Sequence, residues 1–174
     1  PHIYLIEGPV GSGKSTYAAE LSETSGAPRL NLDDWMATLF SADRPSYGSV
    51  EWYLDRKDRC IEQIWKIACE ITKSGGDVIL ELGLIQRVSR EQLYEKVDAA
   101  GVGLTVYVLE APLEVRRSRV QTRNITRGET YSMDVPEEFF SRASNLWESP
   151  DDDECIARDV RFISTGSADD STDT

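Results

Sequence analysis

The segment Gly8–Ser15 reads GPVGSGKS and matches the pattern G-x-x-x-x-G-K-[ST] without a gap. An apolar run, Ile3–Ile6, precedes it, and residues 14–23 have the pattern of a helix. A glycine-rich loop in this position turns its backbone N–H groups toward an anion at the helix N-terminus. The pattern predicts an ATP site, with Lys14 on the β- and γ-phosphates and the Ser15 hydroxyl on Mg²⁺. The residues expected to bind ATP are Gly8, Gly11, Ser12, Gly13, Lys14, Ser15 and Thr16.

Four further apolar runs follow along the chain, at residues 29–32, 78–82, 104–109 and 160–163. They alternate with helical patterns at residues 50–74, 89–100, 113–123 and 134–147. Strands that are apolar throughout are covered on both faces. We therefore predict an α/β fold with a five-stranded parallel sheet and helices on both faces. One domain should span residues 1–166, with a lid at about 124–135.

Three segments of the chain are predicted to lie outside the regular elements. Residues 36–49 are expected to form a loop or short helical insert, because they contain Pro45 and Gly48. The acidic run Asp151–Glu154 is expected to be a solvated turn. Residues 167–174 are polar and acidic, and we predict a disordered tail.

Two carboxylates, Asp33 and Asp34, follow the second predicted strand. Ligands of parallel α/β sheets bind at the carboxyl ends of the strands, where the glycine-rich loop also lies. A carboxylate there can accept the proton of an attacking hydroxyl group during phosphoryl transfer. The alternative for either residue is a helix N-cap. We predict that Asp33 is the general base and that Asp34 also faces the substrate.

Glu81 ends the third predicted strand, after Val78-Ile79-Leu80. A carboxylate in this position can hold Mg²⁺ directly or through water, so Glu81 is predicted to be a metal ligand together with Ser15. The alternative is a charged residue that merely ends a strand.

Arginines are concentrated between Arg116 and Arg127, and three of them share a helix face at spacings of three and four residues: Arg116, Arg119 and Arg123. Such a face can stabilise the charge that develops on a transferring phosphoryl group. The alternative is a solvated face paired with acids such as Glu114.

Composition limits the partners. The net charge of −12 favours a small substrate over a nucleic acid, whose binding surfaces are usually basic. No apolar run approaches the ~18 residues that span a bilayer, so no membrane partner is expected. The three cysteines lie far apart, which is typical of reduced thiols and indicates a cytoplasmic protein.

The glycine-rich loop, Asn31–Asp34, Val78–Glu81 and Val108–Val115, together with Arg119 and Arg123, resemble the small P-loop kinases. This group includes polynucleotide 5′-hydroxyl kinase, gluconate kinase, zeta toxin and chloramphenicol phosphotransferase. The resemblance covers residues 2–146 and implies a parallel-sheet fold with a lid over the nucleotide. It implies that Asp33 is the general base, that Arg119 or Arg123 is the lid arginine and that residues 164–167 lie near adenine. It also implies a substrate contact at Arg87.

The resemblance to polynucleotide kinase is incomplete at one point. Trp35 and Met36 stand where that enzyme has an arginine that grips nucleic-acid phosphate. Trp35 is predicted instead to stack on a ring or sugar of the substrate, with core packing as the alternative.

Three functions follow as hypotheses. The first is a kinase that moves the γ-phosphoryl group of ATP-Mg²⁺ to a hydroxyl of a small molecule. The second is a polynucleotide 5′-hydroxyl kinase, and the third is a nucleotide-dependent switch without transfer. Neither the acceptor nor the oligomeric state follows from the sequence, because loops determine substrate choice.

Overall fold

A computed structural model describes residues 1–46, 48–128 and 134–166. Five parallel strands form one sheet in the order β2-β3-β1-β4-β5. This confirms the predicted sheet. Residues 129–133 of the predicted lid and the predicted tail, 167–174, lie outside the described residues. The strands are β1 His2–Glu7, β2 Arg29–Asn31, β3 Val78–Glu81, β4 Gly103–Glu110 and β5 Asp159–Ser164.

Helices cover both faces of the sheet, as predicted. On one face Ile64 and Leu93 pack against the apolar side chains of the central strands. On the other face Ala18 packs against Ile6 and Ile79. The helices are α1 Lys14–Ser25, α2 Leu32–Phe40, α3 Ser49–Lys73, α4 Arg87–Ala100, α5 Leu113–Thr126, α6 Glu137–Leu146 and α7 Asp152–Ala157, with a short 3-10 turn at Ser41–Asp43.

The strand register places the functional segments at one edge of the sheet. Asn31 of β2 lies beside Glu81 of β3, and Leu80 lies beside Leu5 of β1. Because all strands run in the same direction, the segments that follow them leave from this edge, and three of these segments carry predicted site residues or border them. They are the glycine-rich loop after β1, the start of α2 after β2, and residues 82–86 after β3.

Helix α2 begins earlier than the sequence suggested. Its N-cap is Asn31, whose Oδ1 accepts hydrogen bonds from the backbone N–H groups of Asp33 at 2.8 Å and Asp34 at 3.2 Å. The two aspartates therefore occupy the first helical turn, where carboxylates are favourable. Residues 36–40 of the predicted loop or short helical insert belong to this helix, and neither aspartate is the cap.

The prediction of a solvated turn at Asp151–Glu154 is wrong. Asp151 caps α7 by accepting from the Glu154 N–H at 2.9 Å, and the Glu154 carboxylate is buried against Arg90. The acidic composition hid this helix, because its partner lies 64 residues away. None of the helices that the described residues form is long and apolar enough to cross a membrane.

Candidate active site

The glycine-rich loop adopts a backbone that only glycine accommodates at key positions. Gly8, Gly11 and Gly13 have φ values of 146°, 80° and 97°. A Cβ atom on Gly8 would lie 2.5 Å from the Leu109 carbonyl oxygen. A Cβ atom on Gly11 would lie 2.6 Å from the Arg116 carbonyl oxygen. The loop is thus fitted tightly between β4 and α5, in the backbone conformation that lets a glycine-rich loop surround an anion.

Lys14 lies across this loop. Its Nζ donates to the carbonyl oxygens of Gly8 at 2.8 Å and Pro9 at 3.0 Å. Burial lowers the pKa of Lys14, while the nearby carboxylates of Glu7, Asp33 and Glu81 oppose this shift. The ammonium group therefore lies near three carboxylates, two that end β1 and β3 and one in the helix that follows β2.

The Ser15 hydroxyl and the Glu81 carboxylate, the two predicted metal ligands, are in direct contact. Ser15 Oγ donates to Glu81 Oε2 at 3.0 Å. Arg29, which the sequence analysis did not single out, donates to the other oxygen, Oε1, from Nη2 at 3.0 Å and Nε at 3.3 Å. Arg29 thereby fixes the carboxylate so that Oε2 faces the loop.

Asp33 faces the cleft above these groups. Its side chain is open to the cleft, yet protein surrounds it on most sides, and desolvation raises its pKa. Lys14 and Arg123 act in the opposite direction, and Glu81 adds to the rise. Burial raises the pKa of Tyr53 to about 12, with the Asp33 charge as the next cause, so the Tyr53 phenol borders the same space. This arrangement suits a group that must accept a proton.

Two of the three clustered arginines face the site. Arg119 Nη1 donates to Thr165 Oγ1 at 2.9 Å and to the Gly11 carbonyl oxygen at 3.4 Å. Arg123 has a buried Nε–H without a hydrogen-bond partner among the described residues. Thr165 also donates to the Ser12 carbonyl oxygen, so the segment after β5 lies against the loop.

Arg116 serves the structure instead. It is buried and donates to the Val10 carbonyl oxygen at 3.1 Å and to Ser144 Oγ at 3.1 Å, with Phe140 against its guanidinium. It joins the glycine-rich loop to α6. Arg117 pairs with Glu114 and Glu137 on the surface. The spacing of three that grouped Arg116 with Arg119 did not distinguish these roles.

The other predicted substrate residues, and Thr16 of the predicted ATP site, lie in different surroundings. Asp34 and Thr16 are exposed near the cleft edge. Trp35 is half-buried and packs against the core on the α3–α4 side of the sheet. The Arg87 guanidinium pairs with Glu91 and Asp151 at the start of α4. A substrate contact from Trp35 or Arg87 stays a prediction.

One residue of the site escaped the sequence analysis altogether. Glu7 ends β1, is fully buried and accepts the Leu84 N–H at 3.1 Å. Burial raises its pKa to about 7, and Lys14 opposes the rise. The signal was present, because a carboxylate replaces an apolar residue at the end of a buried strand, next to the glycine-rich loop.

The residues present fit ATP-Mg²⁺. Two buried donors, Ser12 Oγ and Arg123 Nε, have no partner within the described residues, and both border the loop. Ser15 and Glu81 supply oxygen atoms for a hard cation. Within the described ranges no three His, Cys, Asp or Glu side chains form a metal cluster.

Comparisons with known proteins show the family and the fold of this chain. The sequence profile of the AAA_33 family, described as an AAA domain, matches residues 3–150. The chain therefore belongs to this family, and it is similar to the small P-loop kinases. No curated protein matches the chain significantly.

Solved structures show the same fold. A putative kinase from Chloroflexus aurantiacus J-10-fl superposes with a TM-score of 0.75 at 17% identity, covering 99% of this chain and 92% of that one. Kti12 of Chaetomium thermophilum, in complex with ADP-AlF3, gives a TM-score of 0.69 at 17% identity, with 93% and 88% covered. A gluconokinase from Sinorhizobium meliloti 1021 gives 0.61 at 18% identity, with 96% and 84% covered. The fold is that of a P-loop NTPase.

Proposed function

We propose that this protein is a P-loop kinase that transfers the γ-phosphoryl group of ATP to a hydroxyl of a small molecule. The observation that carries this proposal is that Lys14 on the glycine-rich loop and Asp33 in the first turn of α2 meet at the carboxyl edge of the sheet, where Lys14 and Arg123 oppose the rise of the Asp33 pKa. A nucleotide-binding switch needs the loop and the lysine, but it has no use for a desolvated carboxylate opposite them.

In the proposed reaction the glycine-rich loop and Lys14 hold the phosphates, and Asp33 orients the acceptor hydroxyl. The hydroxyl oxygen forms a bond to the γ-phosphorus as the bond to the β–γ bridging oxygen breaks. The hydroxyl proton passes to the Asp33 carboxylate, and ADP leaves with the electron pair of the broken bond. Such transfer depends mainly on positioning and charge stabilisation.

The arginines of α5 act on the charge that develops during transfer. Arg123 offers a buried Nε–H that has no partner within residues 1–46, 48–128 and 134–166, a donor that costs no reorganisation when it meets an anionic oxygen. Arg119 lies between the loop and Thr165, where it can hold the nucleotide while the site is closed. Both residues are therefore assigned to catalysis together with Lys14 and Asp33.

The metal ion would be held by Ser15 and Glu81. When bound, Mg²⁺ neutralises charge on the β- and γ-phosphate oxygens. The chain itself orients the Glu81 carboxylate, because Arg29 holds Oε1 and Oε2 is directed at Ser15.

The acceptor is proposed to be a small hydroxyl compound because the chain is acidic and because Trp35 and Met36, not an arginine, directly follow Asp33 and Asp34 in the sequence. A polynucleotide 5′-hydroxyl end is the alternative acceptor. The deciding experiment measures ADP release with ATP-Mg²⁺ against sugars, nucleosides, hydroxylated antibiotics and one 5′-hydroxyl RNA, with Lys14→Ala as the inactive control.

A small-molecule acceptor that stimulates ADP release, and is recovered in phosphorylated form, establishes the proposal. Stimulation by the RNA alone establishes the alternative acceptor. Tight ATP binding with no phosphorylated product from the panel contradicts a small-molecule kinase and favours the switch.

A further inference from the structure

Residues 82–86, which connect β3 to α4 at the active-site edge, are unusually well fixed for a loop. The Leu84 N–H donates to the Glu7 carboxylate, at 3.1 Å to Oε2 and 3.4 Å to Oε1. The carbonyl oxygen of the same residue accepts from Arg90 Nη1 at 3.3 Å. Both backbone groups of one loop residue therefore bind buried, ionisable side chains.

Each of these side chains is itself held. Arg90 is fully buried and donates to both Glu154 oxygens, from Nε at 2.7 Å and Nη2 at 2.9 Å. The Tyr94 hydroxyl donates to the same carboxylate at 2.7 Å. Glu7 is the last residue of β1 and directly precedes the glycine-rich loop. The Leu84 peptide thus links the phosphate-binding strand to α4 and α7.

The loop is also tied to the segment after α6. The Glu148 N–H donates to the Ile85 carbonyl oxygen at 2.8 Å, and the Glu148 carboxylate accepts the Arg87 N–H at 2.8 Å. With Gly83 in a left-handed conformation, φ 60°, the chain turns sharply from β3 into this arrangement. A carboxylate buried at the end of β1 is costly to desolvate, so a fold that needs only packing there would place an apolar residue at this position.

We propose that Glu7 and Arg90 are positioning residues for phosphoryl transfer, which hold the 82–86 loop in one conformation so that it forms a preset wall of the acceptor site. This inference rests on the proposed kinase function. The loop leaves the sheet from β3, between the strand that leads to Asp33 and the strand that leads to the glycine-rich loop. An acceptor bound between Asp33 and the γ-phosphate must therefore lie over the 82–86 loop.

The variants for the test are chosen at Glu7, because loss of Arg90 would leave Glu154 buried without its partner. Glu7→Leu removes the oxygen that accepts the Leu84 N–H. Glu7→Gln keeps a carbonyl oxygen there but removes the charge. Thr105→Val is the matched control. Thr105 is buried near the N-terminal end of β4, away from the active-site edge, and is hydrogen-bonded to His2 and Asp159. This variant therefore also loses buried hydrogen bonds, but far from the loop.

The first measurement needs no acceptor. NMR hydrogen exchange in the wild-type protein should show the Leu84 amide among the slowly exchanging groups, although it lies in a loop. At pH 8, above the pKa of about 7 for Glu7, Glu7→Leu should speed its exchange by about 10- to 100-fold, the value of one hydrogen bond to a charged group, while Thr105→Val leaves it unchanged. Fast exchange of the Leu84 amide in the wild type overturns the proposal. This outcome can be measured even if Glu7→Leu does not fold.

The second measurement separates positioning from a charge effect on Lys14. With an acceptor identified by ADP release, Glu7→Leu should raise the acceptor KM by about tenfold while the Kd for Mg-ADP changes less than about threefold. Glu7→Gln should restore most of the acceptor KM. An equal loss of Mg-ADP affinity in Glu7→Leu and Glu7→Gln overturns the proposal, because the loss of the negative charge is the only change that the two variants share. Should no acceptor exist, the kinase function fails in that assay, whereas hydrogen exchange and Mg-ADP affinity still decide whether Glu7 holds the loop.

Discussion

At the scale of single residues, the proposal depends most on Asp33. Asp33→Asn keeps the size of the side chain and its place in the first turn of α2, but the amide cannot accept the hydroxyl proton. We expect phosphoryl transfer to fall by about 10²-fold or more, the range for loss of a general base, with Mg-ADP affinity nearly unchanged. Steady-state kinetics and calorimetry measure the two quantities.

Asp34→Asn is the matched control for that experiment, since it sits in the same helical turn and hydrogen-bonds through its backbone to the same Asn31 oxygen. It should keep most of the activity. An inactive Asp34→Asn beside an active Asp33→Asn would reverse the assignment within the pair.

Arg29 gives a second prediction at this scale. Because it binds Glu81 Oε1 through two N–H groups, Arg29→Gln should let the carboxylate turn away from Ser15. Loss of such a supporting contact typically lowers metal affinity by about tenfold or more. We expect the ratio of ADP affinities with and without Mg²⁺, measured by calorimetry, to shrink by about that factor.

The control for Arg29 is Arg158→Gln. Arg158 also binds a carboxylate through two N–H groups, those of Nη1 and Nη2 to Asp98 at 2.6 Å each, but this pair joins α4 to the start of β5. The Mg²⁺ effect on ADP affinity should be unchanged in this variant. An equal change in both would show that general stability, not the carboxylate, controls the ratio.

At the scale of elements, α5 carries the third prediction. Arg123→Ala removes a buried donor that has no partner in the described part of the chain, and we expect kcat to fall by about 10²-fold or more with a smaller change in ATP affinity. Arg119→Ala should lower both, because Arg119 also holds Thr165 beside the loop. Arg117→Ala, on the same helix but in surface ion pairs, should stay active. Equal losses of kcat and affinity in Arg123→Ala would make it a phosphate anchor only.

The elements also show what the sequence could reveal. The strand runs and the Gly8–Ser15 pattern are local signals, so the sheet and the phosphate-binding loop were predictable. The role of Arg116 and the burial of Glu154 depend on partners 106 and 64 residues away, and no periodicity encodes them. Helix α2 was obscured because its cap, Asn31, is also the last residue of a strand.

At the scale of the whole molecule, nucleotide binding should stabilise the fold. The loop is tied to β4, α5 and the segment after β5, so a ligand that binds only the native state is linked to global unfolding. At 100 times its Kd, Mg-ATP should add about 2.7 kcal/mol to the free energy of unfolding. For a chain of this size that raises Tm by roughly 5–10 °C. Lys14→Ala should lose most of the shift in a thermal unfolding assay, and an undiminished shift would place the nucleotide elsewhere.

The buried Glu7 carboxyl should also make global stability depend on pH. Burial raises its pKa to about 7 in the folded protein, against about 4.5 when unfolded, and the surrounding charges of Lys14, Arg90 and Lys57 oppose the rise. Between these values the folded state keeps a proton that the unfolded state has released. The contribution of Glu7 is therefore fully present below about pH 4.5 and is lost as the pH rises to about 7.

Glu7→Gln isolates this effect, because it cannot titrate. Relative to the wild type, the variant should gain stability as the pH rises from 5 to 8, by on the order of 1–3 kcal/mol. Urea unfolding of both proteins at each pH measures the difference, and the other titrating groups cancel in the comparison. A difference that is constant with pH would mean that Glu7 is ionised throughout. Lys14 would then hold a permanent counter-charge, and nucleotide phosphates would have to compete with it for the lysine.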